Sequence, residues 1–478
     1  MSYRRHLFFG NLIFIANIVL VLIVFGFAYF LFHLQQTTFQ GDGELYLSET
    51  YKKANLQIDA TKITGKIKPI WEAFAQGGEE QNVNMLAGTE VSMQKINPQY
   101  IRIDHIFDDD YYGVVKGSGN NLSLDWTKLD QTVASITQMG AKPFFSLGYM
   151  PASLAASKID IPYDWNKWQW LVGQCIQHYS GVEGKGISQV YYEVWNEPDL
   201  ESFGKWHYSG SKNYLTLYRY AAQAAQTARQ NNNIKQFYIG GPAITATYEN
   251  WIHALVEYTQ ENNLPLDFVS WHRYSYDDNL FLKDVISLRN WLANKGQFQL
   301  IISEFGPDSE KSSIYYSPTS GAHVVSATRQ LLESGLDWLY AFEVKDDPNQ
   351  GSQGWGLLTH NQANLYPKPR YRSYLMMKSM FGDRLLLQGE GSNVKAWAVK
   401  KDDEIMAIVS NYNPSFSQTE SVPVQINNLV PGNYIVIWET LKGEGGEEKY
   451  QVGENRTYIH TFELSSGNVL HFRIKKLP

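Results

Sequence analysis

The first pattern along the chain is its longest apolar run. Between His6 and Gly41 there is no Asp, Glu, Lys or Arg, and residues 7–34 are almost wholly apolar. A bilayer core of about 30 Å takes about 20 helical residues, so this run predicts a tilted transmembrane helix. Arg4 and Arg5 precede it, which predicts a cytoplasmic stub over 1–6 and an extracytoplasmic remainder. A cleaved signal peptide would carry a shorter apolar region, about 7–15 residues, and then a small-residue cleavage site. No good Ala-x-Ala lies near 32–38, so an uncleaved signal anchor is the better reading. Residues 35–57 read as a stalk, rich in Gln, Thr and Gly over its first part.

After the stalk, short continuous apolar runs alternate with amphipathic stretches. The runs 67–74, 100–104, 142–147, 190–195, 237–240, 268–271, 300–303 and 338–344 read as buried parallel strands. Between them, 124–139, 165–179, 211–230, 250–262, 280–294 and 324–334 carry helical periodicity. Eight strand–helix units predict an α/β fold, a (β/α)8 TIM barrel, over residues 58–382. A doubly wound open sheet is the rival, but no Gly-rich phosphate loop follows the first strand. Beyond a helix at 371–380 the pattern changes. Short alternating runs at 394–400, 404–412, 421–426, 433–440, 457–464 and 469–474, separated by turn residues such as Pro431-Gly432, predict a C-terminal antiparallel β-sandwich over 383–478.

Composition narrows the chemistry. Apolar residues make up 44% and charged ones 19% of the 478 residues, enough for a large core. The 14% aromatic content suits a carbohydrate site, because aromatic faces stack on the C–H faces of sugar rings, although barrels also bury such residues. A net charge of −7 gives no basic footprint for nucleic acid. The single cysteine, Cys175, excludes an internal disulfide and reads as a small core residue. The eleven histidines show no metal-binding spacing, so neither a metal nor another cofactor is expected.

Two of the apolar runs end abruptly in a carboxylate: Tyr-Glu-Val-Trp-Asn-Glu-Pro-Asp in Glu197, and Leu-Ile-Ile-Ser-Glu-Phe-Gly in Glu304. The last residue of a barrel strand emerges at the catalytic face. Two glutamates displayed there are the equipment for cleaving a glycosidic bond, one protonating the leaving oxygen and the other attacking the anomeric carbon. Taken singly, each could equally be a salt-bridged strand terminus.

Trp195-Asn196-Glu197-Pro198 resembles the Asn-Glu-Pro signature of clan A glycoside hydrolases, and the chain is most similar to glycoside hydrolase family 39. That family includes β-xylosidases, α-L-iduronidases and some exopolysaccharide endoglycosidases. The likeness continues in order through Tyr-Ile-Arg-Ile-Asp (100–104), Lys-Pro-Phe-Phe-Ser-Leu-Gly-Tyr-Met-Pro (142–151), Ile-Gly-Gly-Pro-Ala (239–243) and Asp-Phe-Val-Ser-Trp-His-Arg-Tyr (267–274). Gly-Trp-Gly-Leu-Leu (354–358) and Pro-Lys-Pro-Arg-Tyr (367–371) extend it. The resemblance implies Glu197 as acid/base and Glu304 as nucleophile, with net retention. It further implies that Asn196 bonds the sugar 2-hydroxyl, that His272 and Tyr274 line the subsite, and that Arg102 keeps Glu304 ionised. Arg102 could alternatively pair with Asp104. Tyr149, Phe342 and Trp355 are candidate aromatic contacts to the sugar, and Trp195 is expected to pack beneath Glu197.

Three positions depart from the family pattern: Asp104 where a His is usual, Phe305 where the nucleophile is usually followed by Trp, and Phe342-Glu343 where a Trp commonly floors the subsite. They leave the two-glutamate chemistry intact and unsettle the sugar identity. The expectation is a membrane-anchored, outward-facing retaining glycosidase acting on a poly- or oligosaccharide. The alternative is a catalytically silent glycan-binding surface protein on the same fold.

Overall fold

The computed structural model describes residues 51–78, 80–348, 351–415 and 418–478. The expected stub, anchor and most of the stalk lie outside the described residues. Among the described residues, no helix is long and apolar enough to cross a membrane.

The apolar runs form the strands expected of them. Eight parallel strands close a barrel in chain order: Ala73–Gln76, Tyr100–Ile103, Lys142–Leu147, Val190–Val194, Phe237–Ile244, Phe268–Tyr274, Gln299–Gly306 and Trp338–Phe342, the last pairing back onto the first. Helices such as Trp165–Ser180, Tyr214–Arg229 and Pro318–Leu331 cover its outside. Asp164, Asn213 and Ser317 cap these three, each accepting from the N–H two residues on, which satisfies donors the first turn leaves free. Trp168, Leu171, Val172, Cys175 and Ile176 form the buried stripe of the first of them. The cysteine is therefore the core residue its setting suggested.

Side chains two apart on a strand share a face, and this layers the barrel interior. Tyr100, Phe144, Tyr191, Phe268 and Tyr340 pack the lower layer, with Phe144 stacked on Tyr191 at 5.2 Å and edge-on to Tyr340 at 5.0 Å. Two residues further along the same strands come Arg102, Glu193, Ser270 and Phe342, and above Ser270 come His272 and Tyr274. An aromatic plug thus supports a polar floor at the carboxyl ends of the strands.

The C-terminal region differs from the expected antiparallel sandwich: its strands hydrogen-bond into one sheet and not two, and one pairing in it is parallel. Its nine strands form one continuous sheet, and one of them comes from the other end of the chain. Leu56–Lys66 pairs antiparallel with Asp383–Gln388 and parallel with Glu420–Asn427. Residues 58–66, read from the sequence as the start of the barrel domain, therefore belong to this sheet. The first barrel strand, expected at 67–74, is Ala73–Gln76. Central strands of the sheet are buried on both faces. In Val394–Lys401 and Glu404–Asn411, Trp397, Val399, Met406 and Ile408 join the barrel's core, while Ala396, Ala398, Ala407 and Val409 join the sheet's own. Polar ties add to this seam: Arg329 Nε donates to Ala396 O at 2.7 Å and Ser410 Oγ to Ala322 O at 2.8 Å.

Candidate active site

Both carboxylates stand at the carboxyl mouth of the barrel, and local backbone irregularities aim them. The seventh strand pairs in register with the sixth up to Ile302 opposite Trp271, then resumes at Glu304 opposite His272. The bulge at Ser303 turns Glu304 inward; such an extra residue is a common way to re-aim a side chain. After the fourth strand, Trp195 and Glu197 take left-handed backbone conformations, φ 74° and 42°. Side chains that disfavour this region are held there by their surroundings. Trp195 N–H donates to Leu147 O, its indole N–H to Phe203 O at 2.8 Å, and its own carbonyl accepts from Ser146 Oγ at 2.8 Å. Glu197 N–H donates to Ala243 O at 3.0 Å. Trp195 is fully buried, edge-on to Tyr149 and Trp206.

An oxygen of Glu197 lies within 4.8 Å of an oxygen of Glu304, with His272 between them. The His272 Nδ1–H donates to Glu197 Oε1 at 2.8 Å and lies 3.4 Å from Glu304 Oε2. Glu304 has its own set of donors: Tyr274 OH to Oε2 at 2.8 Å and Arg102 Nη1 to Oε1 at 2.7 Å. These three side-chain atoms could also fit around a cation, but the hydrogen bonds just given already engage them.

Arg102 is the hub. It is completely enclosed and donates to Glu304, to Asn196 Oδ1 through Nη2 at 2.7 Å, and to Glu193 Oε2 through Nε at 2.7 Å. Burial weakens its charge, yet the carboxylates of Glu193, Glu304 and Asp104 overcome this and raise its pKa. The fork geometry of a guanidinium lets one side chain orient three partners. Burial raises the Glu304 carboxyl above its ordinary value, and Glu197 and Asp104 add to this, while His272 and Arg102 pull the other way. Burial pushes the His272 pKa down, but Glu304 and Glu197 more than offset it, so the imidazole holds its proton to higher pH.

The structure gathers all nine residues expected of the site, in altered roles for some. Asn196, aimed by Arg102, donates through Nδ2 to Tyr149 OH at 3.1 Å. Tyr149 is 1% exposed, stacked on Phe203 and edge-on to Trp195, so it positions Asn196 and offers no open face to a sugar. Phe342 stands edge-on to Tyr274 at 6.3 Å and to Trp355 at 5.5 Å, forming an aromatic wall on the Glu304 side. Arg102 makes no hydrogen bond to Asp104; its second carboxylate partner is Glu193, which the sequence reading passed over. The signal was a lone Glu inside the apolar strand Val-Tyr-Tyr-Glu-Val. Glu343 is fully buried just past the end of the eighth strand, where Oε2 accepts from Gln76 Nε2 at the end of the first strand at 2.7 Å. Asp104 is nearly buried, and its Oδ1 has no hydrogen-bond partner.

Residues 54–441 match the family described as Glycosyl hydrolases family 39. A "Beta-xylosidase" of Caldicellulosiruptor saccharolyticus is 24% identical over 423 residues, 80% of this chain and 84% of that protein. One of Geobacillus stearothermophilus is 25% identical over 406 residues, 75% of each. Among solved structures, a "GH39 enzyme from Xanthomonas axonopodis pv. citri" superposes with TM-score 0.75 at 18% identity, covering 91% of this chain and 99% of that one. With the paired glutamates at the mouth of an eight-stranded barrel, the match places this chain in glycosyl hydrolase family 39, as a glycosidase.

Proposed function

We propose that the chain hydrolyses O-glycosidic bonds of an oligo- or polysaccharide by double displacement, with Glu304 as nucleophile and Glu197 as acid/base. The observation that carries this is the short gap between the two carboxylates. Retaining pairs stand about 5–5.5 Å apart, and inverting pairs about 6.5–9.5 Å to admit a water; here the facing oxygens lie within 4.8 Å.

The two networks give each carboxyl group its task. Arg102 and Tyr274 donate to both oxygens of Glu304, which favours the charged form needed for attack and fixes its direction. His272 occupies Glu197 Oε1, leaving Oε2 to carry the proton towards the leaving oxygen. Attack by Glu304 on the anomeric carbon breaks the bond to that oxygen as the Glu197 proton transfers to it, and a glycosyl ester forms. Glu304 has then lost its charge, and Glu197, now ionised, takes a proton from the water that cleaves the ester. Asn196, held by Arg102, stands beside Glu197 in reach of the reacting sugar.

The similar β-xylosidases support a pyranose glycone, while Asp104 and Phe342 alter the groups around it. Glu304→Gln should abolish turnover of aryl glycosides. Glu197→Ala should keep measurable turnover of substrates with good leaving groups and gain rate with added azide. Product analysis by NMR should show retained anomeric configuration; inversion would refute the double displacement.

The apolar run at 7–34, preceded by Arg4 and Arg5, supports a single-pass anchor with the catalytic domain outside. Such a tether beside an export path would suit trimming or release of a nascent surface polysaccharide. Membrane fractionation with protease protection tests the topology, and deletion of the gene should alter the length or release of that polysaccharide.

A further inference from the structure

The second barrel strand ends in a carboxylate that the protein leaves without a donor. Asp104 follows Ile103, and because side chains two apart share a face it points inward, one step above Arg102. It is 8% exposed, yet Arg102 directs its hydrogen bonds to Glu193, Glu304 and Asn196. Asp104 Oδ1 has no hydrogen-bond partner within the protein, and Oδ2 lies 3.9 Å from His105 Nε2, beyond hydrogen-bond reach. The His105 imidazole is bonded elsewhere, through Nδ1 to Asp108 Oδ2 at 3.0 Å. Burying a carboxylate without donors is costly, and folded proteins rarely do it without a reason.

Strand order sets the place of Asp104 round the mouth. Gln76 pairs with Ile103 and Ile103 with Phe145, so Gly77 and Ser146 flank Asp104 on the first and third strands. Gly77 has no side chain, and the Ser146 hydroxyl is turned to Trp195 O, so neither covers or bonds the carboxylate. Past Gly77 in the circle comes Phe342 of the eighth strand, with Trp355 edge-on to it. Past Ser146 comes the fourth strand, which leads into Asn196 and Glu197. Tyr274 stands opposite on the sixth strand, bonded to Glu304 on the seventh. Beyond the effect of burial, the Asp104 charge raises the pKa of Arg102, Tyr149 and Glu304, as a group facing their shared pocket should.

The nucleophile fixes how a sugar lies here. Its C1 must meet Glu304, and Arg102, bonded to both Glu304 and Asn196, forms the floor beneath the ring. The ring then extends away from Glu304, towards the first and second strands. We propose that Asp104 is a specificity-determining residue that accepts a hydrogen bond from a ring hydroxyl beyond C2, on C3 or C4, of the sugar that Glu304 attacks. The inference rests on the hydrolase reading above and narrows its substrate class to a neutral pyranose with that hydroxyl free. An ionised carboxylate only accepts, so a hydroxyl satisfies it and a substituted oxygen does not. A uronic acid would bring a third carboxylate to Asp104 and Glu304, and like charge of this kind is how a site rejects a competing ligand.

The test uses the full chain and a panel of aryl glycosides of neutral pyranoses and of uronic acids, then the 3-deoxy and 4-deoxy analogues of the best neutral sugar. Rates are taken on the plateau of the pH profile, where Glu304 is ionised in every variant. One deoxy analogue should lose about thirtyfold in kcat/KM with the parent chain, the scale of a hydrogen bond to a charged group. Asp104→Ala should lose about as much on the intact sugar and change that analogue by less than about threefold, a coupling that only direct contact produces. Asp104→Asn, which keeps an acceptor and the side-chain volume, should fall between the two. If Asp104→Ala, or Asp104→Asn should the former not fold, slows the intact and both deoxy sugars equally, Asp104 acts through Glu304 or the fold and the proposal is overturned. A parent chain that prefers a uronic acid overturns it too, and leaves the hydrolase reading standing. A parent chain that turns over no glycoside at all overturns the hydrolase reading and this inference with it.

Discussion

Asp104 and His272 act on the same carboxylate with opposite signs. Both lie close enough to Glu304 to shift it: the Asp104 charge raises its pKa and the His272 cation lowers it. The acid limb of kcat/KM reports ionisation of a group that must be charged in the free enzyme. On the proposed mechanism that group is Glu304. Asp104→Asn should therefore move the acid limb to lower pH, and His272→Asn should move it to higher pH. Limbs that shift together would count against Glu304 as the ionising nucleophile. At this scale Glu197 and Glu304 were legible because each ends an apolar run. Glu193 was not, because one acid inside a strand looks the same whether it pairs with Arg102 or lines a cavity.

Among elements, the segment after the eighth strand is tied down chiefly by a lysine. Lys368 Nζ donates to both oxygens of Asp346 at 2.9 Å and to Gly354 O at 2.9 Å, while Asp346 Oδ1 also accepts from Gly356 N–H. These bonds bracket Trp355. Burial pushes the Lys368 ammonium down to about 8, against the pull of Asp346. Between that pH and the ordinary lysine value near 10.5, the folded chain binds fewer protons here than the unfolded one, so this group's contribution to stability rises with pH. Across that window the wild type should gain stability relative to Lys368→Met in urea titrations. A difference that stays constant with pH would show that the lysine is not buried in this way. The Met variant should also raise KM on aryl glycosides, through a looser Trp355.

For the molecule as a whole, the C-terminal sheet is part of the barrel's structure. It covers the helix Pro318–Leu331, supplies Trp397 and Ile408 to the barrel core and holds the Tyr276 loop through Tyr412. The strand Leu56–Lys66 has both its partners in that sheet. A chain ending at residue 382 would expose this seam, and at about 25 cal/mol per Å² of apolar surface even a few such side chains exceed a domain's stability margin. The truncated chain should accumulate as insoluble protein, whereas residues 51–478 should melt in a single calorimetric transition. Two separate transitions would mean the halves fold independently.

The barrel, its helices and the two glutamates at the strand ends were written into the sequence, because strand and helix periodicity and a carboxylate closing an apolar run are local features. The second partner of Arg102, the burial of Tyr149 and the joining of Leu56–Lys66 to strands more than 300 residues away were decided only by the tertiary structure. Each depends on which distant surfaces meet. A strand's alternation states that one face will be covered, but the covering surface is chosen by packing across the whole chain.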